Sequence, residues 1–204
     1  MKKWPYITTM LFLAILYLSG QYFIHDSRFG EIVSMLLAII AAVAFWMEFR
    51  NNERVNEAQL VMELNHQFIS DEHLSDVEYV LEKYYSQYTE AKKHGKNCAD
   101  INLDISFDYD DKSRQYLVNY LVHLEGIAAL IDEGVIRLNA ITDLMAYRYF
   151  IAVNNPIVQE KELLPCRDYY RGCFRIYEKW SKALGEDKIP MAEYNLLASY
   201  KEDY

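Results

Sequence analysis

Residues 32–49 form an almost unbroken apolar run, and no glycine or proline interrupts the chain between Gly30 and Gly95. At about 1.5 Å of helical rise per residue, such a run covers most of the roughly 30 Å of hydrocarbon in a bilayer. At Arg50 it passes into a polar segment in which Val55, Leu60, Val61, Leu64 and Phe68 recur at helical spacing, with Glu53, Arg54, Glu57 and Glu63 set between them. The pattern predicts one continuous helix that crosses a membrane and emerges as an amphipathic stalk over 51–70. Everything else the chain forms must hang from this helix.

An earlier apolar stretch, 6–24, follows Lys2 and Lys3 and carries Trp4, Tyr22 and Phe23 at its ends, the aromatic flanking of a membrane helix. A signal peptide opens in the same way, but no small-x-small cleavage site leads here into a mature domain, and Ser19-Gly20-Gln21 is a poor substitute. The short link 25–30 makes the spans 6–24 and 32–49 antiparallel, a transmembrane hairpin over 1–50. Lys2 and Lys3 before it, and Arg50 and Arg54 after it, outweigh Arg28 in the link; the positive-inside rule therefore places both termini in the cytoplasm. Ser34, Ala38 and Ala42 line one face of the second span with small side chains. Two readings stay open for them, packing against the first span or a self-association seam between copies. Neither span carries an ionisable residue in its interior, which argues against a proton relay.

The formal net charge is -9; setting aside Lys2, Lys3, Arg28 and Arg50, with Asp26, Glu31 and Glu48, leaves 17 basic against 27 acidic residues beyond position 50. Such a surface repels phosphate backbones and argues against direct nucleic-acid binding. Cys98, Cys166 and Cys173 are odd in number and lack C-x-x-C spacing, so neither a disulfide framework nor a zinc site is suggested, and a reducing compartment is the simple reading.

Residues 71–204 read as one cytosolic helical domain. Ser70-Asp71-Glu72 signals a helix start, followed by a stripe of Leu74, Val77, Val80, Leu81, Tyr84, Tyr85 and Tyr88 to about Ala91. Residues 92–111 alternate as Ile101, Leu103, Ile105, Phe107 and Tyr109 against polar neighbours, but with no second strand to pair they are expected to form an ordered loop. Its aspartates, Asp104, Asp108, Asp110 and Asp111, lack the central glycine and terminal glutamate of a calcium loop. Further helices are expected over about 112–133, stopped by Gly134, over 140–153, capped by Asn139, and over 165–184, closed by Gly185; a last one is expected within 190–200. The fold class is therefore all-α, a transmembrane hairpin continuing into a helical bundle.

Few residues suggest chemistry. Glu63 and His66 have the spacing of one half of a di-iron site, with no second copy. His123 faces an apolar side and reads as a core or contact residue. Glu125 falls on or beside the apolar side of its helix and needs a partner, for which Arg148 is the candidate; the two are expected to form a buried polar pair. Arg167, Arg171, Arg175 and Lys179 recur every four residues and predict a basic ridge along one helix. It is either a solvated face paired with Asp168 and Glu178, or a surface for anionic lipid, a phosphate-bearing ligand or an acidic partner. With no phosphate loop or nucleophile motif, neither a catalytic residue nor a metal or cofactor is expected.

Behind the two membrane spans and the charged stalk, His123-Leu124-Glu125-Gly126-Ile127-Ala128, Asn154-Asn155-Pro156 and Tyr170-Arg171-Gly172 with Trp180 resemble an uncharacterised bacterial family of small two-pass membrane proteins. That architecture is similar to the membrane effectors encoded beside retrons and related antiphage systems. The resemblance implies a bacterial inner-membrane effector, held quiet by a regulatory protein partner, that forms homo-oligomers and disrupts the membrane when released. The alternative is a membrane-anchored, non-enzymatic adaptor that recruits a cytosolic partner.

Overall fold

The computed structural model describes residues 13–15, 17–18, 20, 27–95 and 111–201, and all regular structure among them is helical. The first expected span, 6–24, lies largely outside the described residues, as do Cys98, the alternating segment 101–109 and Asp104, Asp108 and Asp110. The chain divides into two compact units, Met1–Asn56 and Glu57–Tyr204.

Helix α1, Ser27–Ser70, is unbroken; beyond Gly30 it holds neither glycine nor proline to interrupt it. Among the described residues it is the one helix long and apolar enough to cross a membrane, and none of its apolar window is buried. Ser34, Ala38 and Ala42 are exposed on it, and the Arg50 guanidinium lies 5.9 Å from the Trp46 ring centroid.

The second unit begins with the last turns of α1. Asp71 then caps α2, Glu72–Lys93, by accepting hydrogen bonds from the backbone N–H of His73 at 2.9 Å and of Leu74 at 3.2 Å. Helix α3, Asp111–Asp132, ends before Gly134, whose φ of 71° is the left-handed conformation a glycine takes at little cost. Helix α4, Leu138–Val153, starts before its expected cap: Asn139 is inside the helix and Arg137 stands at the cap position without a side-chain capping bond to the helix. The reason is tertiary, because Glu57 of α1 supplies the acceptor for the Arg137 backbone N–H, at 2.7 Å.

Asn155 caps a short turn, Pro156–Val158, which widens into a π-helical turn over Gln159–Leu163. The expected helix from position 165 is shorter in the structure. Arg167–Tyr169 form a separate 3₁₀ turn, and helix α5 is Arg171–Leu184, closed by Gly185 at φ 85°. A 3₁₀ turn, Ala192–Tyr194, and a helix, Leu196–Lys201, complete the described chain.

Helix α4 is central, with Tyr149, Phe150, Ile151, Ala152 and Val153 all wholly buried. Trp180 of α5 packs 4.8 Å from Tyr149, and Tyr177 packs 5.4 Å from Phe150, edge to face; such aromatic pairs add about 0.5–1.5 kcal/mol beyond area burial. Their polar ends are satisfied: Trp180 Nε1 donates to Thr142 Oγ1 at 3.0 Å and Tyr149 Oη to the Cys173 carbonyl at 2.5 Å. Burial pushes the Tyr149 and Tyr120 hydroxyls well above their ordinary range, so both remain neutral donors.

Candidate functional site

The strongest polar constellation lies where the stalk end of α1 meets the bundle. Two contacts fasten it. Glu57, whose side chain is only 10% exposed, takes the Arg137 guanidinium in a forked pair, with Nη2 to Oε2 at 2.6 Å and Nε to Oε1 at 3.0 Å, besides capping the α4 backbone. Two turns further along, Asn65 Oδ1 accepts from Arg148 Nη1 at 2.5 Å, and the same guanidinium lies 5.7 Å from the Phe68 ring centroid. Arg148 Nε donates to Glu78 Oε1 of α2 at 2.6 Å, with both side chains about six-sevenths buried at 14% and 16% exposure. One cation of α4 thus joins α1 to α2.

Physical chemistry makes this joint costly to disturb. A fork between guanidinium and carboxylate is directional, and a desolvated ion loses more than a hydrogen bond when its partner goes. The Glu78 carboxyl is raised above its ordinary 4.5 chiefly by burial, opposed by Arg148 and reinforced by the charge of Glu82. The Glu57 contact is more exposed at its Arg137 end, and its expected effect is local. Glu57→Gln should speed amide hydrogen exchange at residues 137–141 while leaving that of 145–153 unchanged, because the Arg137 amide at the cap of α4 loses its charged acceptor and the carboxylate no longer favours the helix start. Equal acceleration throughout α4 would contradict this assignment.

The expected Glu125–Arg148 pair does not form. Glu125 instead accepts from the backbone N–H of Gly172 at 2.6 Å and of Cys173 at 2.9 Å, at the start of α5. Unsatisfied helix-start amides and the helix dipole offer a carboxylate as good a partner as a guanidinium, and Arg148 is committed to Glu78 and Asn65. Gly172 permits the approach, since a Cβ there would stand 2.8 Å from Glu125 Oε1. The nearby Cys173 thiol is held well above its ordinary range by burial and by Glu125, so it is a packing group.

The basic ridge is also broken. Arg167 lies in the 3₁₀ turn outside α5, with its guanidinium 4.6 Å from the Tyr200 ring centroid and its Nε bonded to the Leu164 carbonyl at 2.9 Å. Arg171 pairs with Asp168 at 2.7 Å, whereas Arg175 and Lys179 share Asp132 of α3 at 3.2 and 2.7 Å. Glu178 pairs with Lys182 at 2.7 Å. The side chains that the four-residue spacing lines up are divided among three separate contacts. Glu63 and His66 are exposed, and no group of three metal-ligating side chains occurs among the described residues. His123 packs edge-on to Phe68, centroids 5.9 Å apart.

No protein-family model, curated protein or solved structure matches the chain. Its function must therefore be read from its own residues. Glu57, Asn65, Glu78 and Arg137 were not singled out by spacing, because each lies among other polar residues of its helix. The weak signal was Glu57 and Asn65 next to the apolar face set by Leu60, Val61, Leu64 and Phe68.

Proposed function

We propose that the chain is a bacterial inner-membrane effector that carries no reaction of its own. In this reading α1 and the preceding apolar stretch form a two-pass anchor with both termini cytoplasmic. A regulatory protein binds the helical domain and keeps it quiet; release lets copies assemble through the face of Ser34, Ala38 and Ala42 and disrupt the membrane. One observation supports the reading above the others. A single unbroken helix carries both an exposed apolar stretch and, at 57–70, the residues fastened by Arg137 and Arg148. A state change in the domain thus has a mechanical route into that helix.

Inducible expression of the free chain tests it. Loss of membrane potential and arrested growth are expected within the induction period, and Ala38→Leu, which crowds the small-residue face, should relieve them. Normal potential and growth at full expression would overturn the effector reading.

A second reading, the non-enzymatic adaptor, is favoured by a shallow groove of about 390 Å³ lined by Glu82, Tyr85, Glu90, Lys93 and Tyr147. Tyr147 is 43% exposed there, and burial together with Glu82 pushes its hydroxyl up to about 12. A stable cytosolic partner recovered with the intact chain, without toxicity and lost on Tyr147→Ala, would favour this alternative.

A further inference from the structure

Beyond Gly185 the chain turns back over α2 and the Asn154–Gln159 turn, and its seat there is built like a receptor for a peptide. The buried amide of Asn154 donates to the Pro190 carbonyl at 2.8 Å, and that of Gln159 to the Tyr194 carbonyl at 2.6 Å. Met191 packs with Tyr84 and Tyr88 in an apolar cluster separate from the main core. Glu193 is held by the Tyr88 hydroxyl and, at 3.0 Å, by Lys92 Nζ. Main-chain carbonyls are thus read by buried amides, and one apolar and one acidic side chain each have a dedicated place.

Two residues on the way through this seat have positive φ, Gly185 at the start of the tail and Met191, at 51°, within the seat itself. Gly185 has φ 85° and ψ 139°, and a Cβ added to it would meet Asp187 Oδ1 at 3.1 Å; a residue with a side chain adopts that turn only under strain. Held in place within one chain, the tail depends on this turn. Delivered from a neighbouring chain, the same contacts form and the turn is no longer required.

We propose that the seat also receives the tail of a second copy: in the assembled form, residues 186–201 open at Gly185 and exchange between neighbouring chains. The occupant is identified by the fit already present, because every contact made by Met191, Glu193 and the two carbonyls is available unchanged in trans. Leu196, buried in the main core, must travel with the tail, so exchange is slow unless copies are held side by side, as a shared membrane would hold them. The inference rests on the assembly reading above.

Equal amounts of isotope-labelled and unlabelled full-length chain, mixed in detergent and treated with a carbodiimide, provide the test. The reagent joins the Lys92 amine to the Glu193 carboxylate with loss of water, and Glu193→Gln is the blank. In the oligomeric fraction, crosslinked peptides with one labelled and one unlabelled half are expected. Gly185→Ala, which disfavours the intrachain turn and leaves the seat intact, should make them appear several-fold faster. Oligomers whose Lys92–Glu193 crosslinks all come from one isotope would overturn tail exchange and leave assembly standing. A chain that native mass spectrometry finds only as a monomer would overturn both.

Discussion

Arg148→Met should lower the unfolding free energy of the helical domain by about 3–5 kcal/mol, the cost of leaving one member of a buried ion pair without its partner. Glu78 would remain inside the α1–α2–α4 joint with no cation within reach of the bond now made at 2.6 Å, and Asn65 would lose its donor. Urea unfolding of the detergent-solubilised chain measures this. The double variant Arg148→Met with Glu78→Leu should regain most of the loss, since replacing both ions by apolar groups of similar volume is close to neutral. A single variant as stable as the parent would show that the joint carries little of the domain's stability.

The same pair sets a pH dependence. The folded-state pKa of Glu78 is raised, chiefly by burial, so the folded domain keeps this proton over a range in which the unfolded chain has already released it. Its contribution is therefore full below the ordinary value of 4.5 and is lost as the pH rises through the folded-state value. Glu78→Gln should flatten that decline in a series of unfolding midpoints taken upward from about pH 4, and an unchanged slope would assign it to another group.

Gly172→Ala should be the second large effect, at about 3 kcal/mol. An added Cβ would stand 2.8 Å from Glu125 Oε1 and 2.9 Å from the Ala128 Cβ. Helix α5 must then retreat from α3, which adds about 1–3 kcal/mol of overpacking to the weakening of two charge-assisted hydrogen bonds. Glu125→Gln, which keeps one acceptor oxygen, should cost less, about 1–2 kcal/mol. Denaturant midpoints rank the two, and the opposite order would mean that the carboxylate charge matters more than the close approach.

Much of the architecture was legible because it rests on local rules. Asp71 caps α2, and Gly134 and Gly185 end helices by taking positive φ. Elsewhere a contact from a distant helix overrides the local signal. Asn139 lost its cap position because Glu57 supplies the acceptor at the start of α4, and Glu125 lost Arg148 to the free amides of α5. The ridge from Arg167 to Lys179 assumed one helix, whereas Arg167 sits in a separate 3₁₀ turn and Asp132 draws Arg175 and Lys179 toward α3.

The amino-acid order alone determined the all-helical character, the long apolar helix and its continuation past Arg50, since hydrophobic period and the placement of glycine and proline act within a few residues of themselves. The local pair of Arg171 with Asp168 follows from its three-residue spacing, whereas the long-range partners of the charged groups were decided only by the tertiary structure. A buried carboxylate is satisfied equally by a guanidinium or by two helix-start amides, and the packing of α1, α3, α4 and α5 determines which of them comes within 3 Å.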